Sequence, residues 1–179
     1  MNIEVLMQNK KSVWSVRAEQ PEDVDHIEDL TIKAFESAIY SDHHEQFILR
    51  ALRQSGQLSI SLVAELDGQI IGHVAISPVR ISSGKEGWYG LGPVSVLPEF
   101  QRQGIGRDLI ETALSQLKKQ HAKGCVVLGE PDYYARFGFR PLSLLVLEGV
   151  PAEYFQALTF ENEIPQGNVQ YHASFNATS

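Results

Sequence analysis

The stretch GLGPVSVLPEFQRQGIGRDLI, residues 90–110, decides how this chain is read. A short apolar strand (Leu91 to Leu97) meets Pro98, a polar loop follows, and Gly104 and Gly106 stand at the start of a strongly amphipathic helix. Strand, glycine-bearing turn and helix start together make an anion site. The first backbone N–H groups of a helix lack intrahelical partners, and the helix dipole adds partial positive charge to them. With no Cβ at Gly104 and Gly106, a bulky phosphate can approach the backbone closely. The N–H groups of Arg102, Gln103, Gly104, Ile105, Gly106 and Arg107 are expected to face it, and the Arg102 and Arg107 side chains add charge.

Working outward, Ile105, Leu109, Ile110, Ala113, Leu114 and Leu117 share one face of the helix. Gly124 to Gly129 (GCVVLG) is a continuous apolar run, typical of a strand buried on both faces. Strand, helix, strand in that order implies a parallel pair with a right-handed crossover. Upstream, Leu58, Ile60, Leu62, Ala64 and Leu66 alternate with Ser59, Ser61, Val63 and Glu65, which is strand period. Asp67-Gly68 signals a hairpin, and Gln69 to Ile81 reads as the return strand. Trp88 to Leu97 reads as the next strand, with a bulge or break predicted at Gly92-Pro93 because proline cannot donate to the ladder.

Ahead of these lie a strand at Val13 to Arg17, a helix opened by Pro21 and a second helix from about Asp42 to Gln54. Behind them come a short helix or turn at Pro131 to Arg136 and a strand near Leu142 to Glu148. Pro151 to Leu158 stays undecided; Val169 to His172 reads as a last strand, with a frayed tail after Phe175. The expected organisation is one α/β domain over residues 13–175, behind a flexible extension at 1–12.

The bulk composition bounds the function. The chain has 179 residues, enough for one domain with a substantial core, and 15 basic against 22 acidic residues give a net charge of −7. That balance argues against a nucleic-acid partner, which calls for a basic face. It does not oppose a small anion, because a local nest of amides can act against the global sign, and it mildly favours a cationic substrate such as an amine. A single cysteine, Cys125, excludes an internal disulfide and a Cys-rich zinc site; no metal is expected. No apolar run approaches the ~20 residues that span a bilayer, so no membrane partner is expected and a cytoplasmic location is the default.

The glycine turn is neither of the two common nucleotide motifs. Three residues after Gly106 stands Leu109 rather than Gly or Ala, which departs from the dinucleotide fingerprint, and no Gly-Lys-Ser/Thr closes the loop as in a P-loop. Its alternative reading is a plain helix-entry turn. Together with the strand before it, however, the segment resembles the GCN5-related N-acetyltransferase (GNAT) family. Gln101, Gly104 and Gly106 match that family's Gln/Arg-x-x-Gly-x-Gly/Ala signature as they stand, and Tyr134 with Gly138-Phe139 matches its Tyr-x-x-x-Gly-Phe. The resemblance covers roughly residues 13–148 and points to a bacterial subgroup of predicted acetyltransferases.

The resemblance implies a mixed, mostly antiparallel sheet with a parallel, splayed central strand pair, flanked by helices. It implies acetyl-CoA as co-substrate, its pyrophosphate on the amides of the turn and its pantetheine arm in the wedge beside the backbone of Val94, Ser95 and Val96. It implies that Tyr134 protonates the leaving thiolate, with Tyr133 as a wall, and that a small-molecule or peptide amine attacks the thioester directly. A homodimer is common in the family. The segment Gly129-Glu130-Pro131-Asp132 has no asparagine, where many members carry one against the pantetheine.

The general base stays unassigned. Glu130 is best placed by order, His73 reads as a half-buried strand residue, and Glu36, Glu45 and the loop at 82–87 are expected near an amine entrance by the resemblance alone. Cys125 reads as an inert buried thiol rather than a covalent nucleophile. A non-catalytic acyl-CoA-binding or regulatory module remains the alternative to the enzyme, and another phosphorylated ligand at the turn is a third reading.

Overall fold

The strand pair predicted around the glycine turn is the hinge of the architecture. The computed structural model describes residues 13–179; the extension expected at 1–12 lies outside the described residues. The chain runs β1 (Ser15–Ala18), α1 (Val24–Phe35), α2 (Glu45–Gln54), β2 (Ile60–Leu66), β3 (Gln69–Pro78), β4 (Arg80–Ile81), β5 (Trp88–Val96) and α3 (Ile105–Lys119). It continues with β6 (Gly124–Leu128), the single turn α4 (Pro131–Tyr134), β7 (Leu145–Val146), β8 (Phe155–Thr159) and β9 (Gly167–Gln170).

Six strands form one sheet in the order β1-β2-β3-β5-β6-β8. Every neighbour pair is antiparallel except β5 and β6, whose parallel register matches Trp88 to Gly124 and Leu91 to Val127. That pairing stops at Leu91. Beyond it β5 runs on to Val96 beside β3 alone, so a wedge opens between β5 and β6. The register slips between Val74 and Ile76, opposite Val94 and Leu91, which is the bulge predicted at Gly92-Pro93.

Helix α3 covers one face of the sheet. Ile105, Leu109, Ile110, Ala113, Leu114 and Leu117 are buried, as the 3.6-residue period demands. Burying a side chain the size of leucine stabilises by about 1.5–3 kcal/mol, and truncating the fully buried Leu109 to alanine would cost about 2–5 kcal/mol. Gly72 on β3 sets the height of this helix: a Cβ there would lie 2.8 Å from Ile105 Cγ2. The opposite face carries α1 and α2. Leu49 and Leu52 are the buried residues of α2, while Ile32 of α1 is exposed.

Three readings of the chain are corrected. The return strand does not reach Ile81. β3 ends at Pro78, and Arg80–Ile81 pairs with β9 in a second, three-stranded sheet of order β4-β9-β7. The strand near Leu142 to Glu148 shrinks to Leu145–Val146, because only these residues find a partner, in β9. The undecided segment divides into a 3-10 turn (Ala152–Tyr154) and strand β8, whose pairing with β6 supplies the ladder that the local sequence does not announce. No helix among the described residues is long and apolar enough to cross a membrane.

Candidate functional site

The turn before α3 is stripped of internal partners. The first bond into the helix is Asp108 N–H to the Gly104 carbonyl, at 3.0 Å, and Gln101 N–H turns back to Pro98. Between them, no N–H of Arg102, Gln103, Gly104, Ile105, Gly106 or Arg107 meets a protein acceptor among the described residues, and no side chain caps the helix. Gly104 takes φ 101°, a left-handed conformation that turns these groups outward together. Gly106 keeps the approach narrow: a Cβ there would sit 3.0 Å from the Tyr133 hydroxyl and 3.8 Å from Val96 Cγ2. Arg102 is exposed, as is Arg107, which leans on Asp108 at 3.2 Å. Six free donors at the positive end of a fifteen-residue helix form a preorganised anion cradle.

The wedge begins where the cradle ends. Leu97 N–H donates to the Ile71 carbonyl at 3.0 Å, and Ser95 faces His73. Antiparallel alternation therefore turns the backbone of Ser95 toward β3 and those of Val94 and Val96 toward the open side. The Val96 carbonyl accepts from Gln101 Nε2 at 3.0 Å, which ties the turn to the open strand edge.

Tyr134 stands at the deep end of the wedge. Its ring is edge-on to Tyr133, with centroids 5.0 Å apart, and to Phe139 at 6.0 Å. Gly129 makes room for it, since a Cβ there would be 2.4 Å from Tyr134 Cε2. Burial first, then neighbouring Tyr133 and Cys125, push ionisation of the Tyr134 phenol well above the ordinary range, so the group is a neutral O–H donor at neutral pH. Tyr133 sits nearer the turn, under the Arg136 guanidinium at 4.6 Å from its ring centre. Cys125 is fully buried, and desolvation pushes its thiol far up, which leaves it inert.

From Tyr134 a cleft of about 990 Å³ runs over the end of β5 to the other face of the sheet. Leu91, Gly92, Pro93, Val94 and Leu128 form its floor near the wedge. Phe35, Ile48, Val150 and Phe175 give it apolar walls, while Glu45, Glu148 and Arg80 bring charge. Of the residues expected at an amine entrance, Glu45 and Ser82 line this cleft and Glu36 does not. Glu130 is exposed and outside it. The sequence reading missed Tyr171, Glu148, Arg80 and the glycines that accommodate aromatic rings; none sits in a motif, and only the tertiary fold gathers them.

His73 is a correction of a different kind. It is fully buried rather than half-buried, and it belongs to a polar network away from the cleft. Its Nε2 lies 2.7 Å from Ser61 Oγ and 3.7 Å from Glu19, whose carboxylate also receives Ser61 and two bonds from Arg53 at 2.8 and 3.0 Å. Burial raises the Glu19 carboxyl, but the neighbouring His73 and the hydrogen bonds from Arg53 and Ser61 outweigh it and hold it at about 2. Desolvation lowers His73 and keeps it neutral. Among the described residues, no group of three or more His, Cys, Asp or Glu side chains could hold a metal ion.

Residues 57–141 match the family model described as an acetyltransferase (GNAT) domain. The uncharacterized N-acetyltransferase YhbS of Escherichia coli (strain K12) is 37% identical over 125 residues, 69% of this chain and 72% of the relative. A GNAT family acetyltransferase from Brucella melitensis, solved in complex with acetyl-CoA, is 48% identical with a TM-score of 0.81, over 90% of this chain and 97% of that one. The structure of Escherichia coli YhbS in complex with CoA is 32% identical with a TM-score of 0.83, over 93% of each chain.

Proposed function

The chain belongs to the GCN5-related N-acetyltransferase family, and from that premise we propose that residues 13–175 form one acyl-CoA N-acyltransferase domain moving the acetyl group of acetyl-CoA to a primary amine. The observation that carries this reading is the cradle itself: six consecutive N–H groups free of protein partners, opening onto a strand wedge that ends at a phenol. The acetyl-CoA complex of the Brucella melitensis relative supports the choice of anion.

In this reading the pyrophosphate takes the donors of Arg102 to Arg107. The pantetheine arm pairs with the open-side backbone groups of Val94 and Val96, as a third strand would. The neutral amine attacks the thioester carbonyl from the cleft; the N–C bond forms and the C–S bond breaks. A backbone N–H of β5 meets the charge developing on the carbonyl oxygen. The departing thiolate meets the O–H of Tyr134, and the nitrogen gives up its proton to water in the cleft.

The test is calorimetric titration with acetyl-CoA, followed by thiol release with phenethylamine, spermidine and a peptide bearing an N-terminal alanine. Tyr134→Phe is expected to bind acetyl-CoA as the wild type does and to lose roughly 10²-fold in kcat. No heat of binding at high micromolar acetyl-CoA, or full turnover in Tyr134→Phe, overturns the reading.

A further inference from the structure

Two tyrosines flank the wedge, and only one has a role above. Tyr171 follows β9 and lines the same cleft as Tyr134, from the opposite face of the sheet. Tyr134 packs with the core under α3, whereas Tyr171 packs with Val79, Trp88 and Val126. Each ring rests on a glycine of the splayed pair. Gly129, just past β6, admits Tyr134; Gly90, on β5, admits Tyr171, whose Cε1 would lie 2.5 Å from a Cβ there. Gly90 is the residue before Leu91, where pairing with β6 ends, so the ring of Tyr171 lies against the deep end of the wedge.

The hydroxyl is the unexplained part. It is buried and has no hydrogen-bond partner among the described residues. Phenylalanine would fill the same space and stack on Phe175, at a centroid distance of 4.7 Å, without leaving a polar group unpaired. An unpaired polar group on a side chain that lines the cleft points to a ligand that completes it. Burial first, with smaller contributions from Cys125 and Tyr134, pushes its ionisation far up, so the phenol stays neutral. Its oxygen can then accept an N–H from an uncharged amine and leave the nitrogen lone pair free for the carbonyl.

We infer that Tyr171 is the acceptor-side catalytic hydroxyl: its oxygen holds the attacking nitrogen across the wedge from Tyr134, which serves the sulfur. The inference rests on the transferase reading above. The apolar walls at Phe35, Ile48, Val150 and Phe175 suit an amine carried on an apolar body, so phenethylamine is the first probe.

The experiment compares wild type with Tyr171→Phe on phenethylamine, spermidine and the alanine peptide, reading thiol release, the KM for acetyl-CoA and the melting midpoint. The expected result is a fall of at least ~fivefold in kcat/KM for the best amine, with the acetyl-CoA KM and the midpoint unchanged. A purely structural hydroxyl predicts no kinetic loss, so a smaller change overturns the inference while the transferase reading stands. A parallel loss in acetyl-CoA affinity or in melting midpoint overturns it too, because the hydroxyl would then serve the cofactor or the fold. A wild-type chain that binds acetyl-CoA but acetylates none of the three amines overturns the transferase reading, and this inference with it.

Discussion

The two ends of the cleft are built in contrasting ways. In the proposed reading the cofactor end is nearly all backbone and comes from one contiguous stretch, Val94 to Arg107, whose N–H and C=O groups exist whatever the side chains are. The sequence has only to supply glycine at 104 and 106 and an apolar face for α3. The acceptor end is made of side chains drawn from far apart: Phe35 and Glu45 from the helical face, Arg80 from β4, Glu148 from a loop and Tyr171 from the C-terminal segment. An end made of backbone tolerates change around it while its turn survives. An end made of scattered side chains can be re-shaped for another amine without touching the cofactor.

The sharpest way to break this contrast is at Gly104. Valine there must adopt φ near 101° and meet Arg107 Nη2 at 3.3 Å, so the turn reorganises and the donors no longer converge. Gly104→Val is expected to weaken acetyl-CoA at least ~100-fold by calorimetry, about 3 kcal/mol. Retention of wild-type affinity would mean that side chains, not amides, hold the cofactor. A smaller effect is expected at the joint between the two ends. Gly129→Ala places a methyl 2.4 Å from the ring of Tyr134 and must move it. Turnover should fall roughly tenfold or more while acetyl-CoA affinity stays within about twofold. If both fall together, the phenol and the cradle are one unit and the contrast fails.

The same division explains what the sequence revealed. The strand–glycine turn–helix, the buried GCVVL strand and the hairpin at Asp67-Gly68 are local patterns, each written within one or two dozen residues. They were legible because periodicity and turn chemistry act locally. The second sheet was not: Arg80–Ile81 reads as a continuation of the return strand, and only β9, some ninety residues on, draws it into a separate sheet. Tyr171 was illegible for the same reason. Its partner glycine is Gly90, and nothing near either residue announces the other. His73 shows a third cause. A lone histidine in an apolar strand gives no hint of burial until Ser61 meets its Nε2 and Glu19 and Arg53 close the network around it.

That network supplies the mildest test, and it bears on stability rather than binding. Arg53 ties α2, which also carries the cleft residues Glu45 and Ile48, to Glu19 beyond the end of β1. Among the described residues, helix α3 has no comparable buried ion pair. His73 is held below its ordinary value of 6.5, so an unfolded chain takes up that proton first and stability declines as pH drops below about 6.5. Glu19 is held near 2, below its ordinary 4.5, so its contribution is complete above 4.5 and lost as pH falls from there toward 2. Both shifts therefore erode the acceptor side on acidification. Amide hydrogen exchange between pH 7 and 4, corrected for intrinsic rates, should show α2 losing protection before α3 does. Uniform loss across both helices would show that acid acts on the whole core and that the two ends of the cleft are not separately anchored. Arg53→Gln should flatten the difference, because it removes the cation that links α2 to the buried carboxylate.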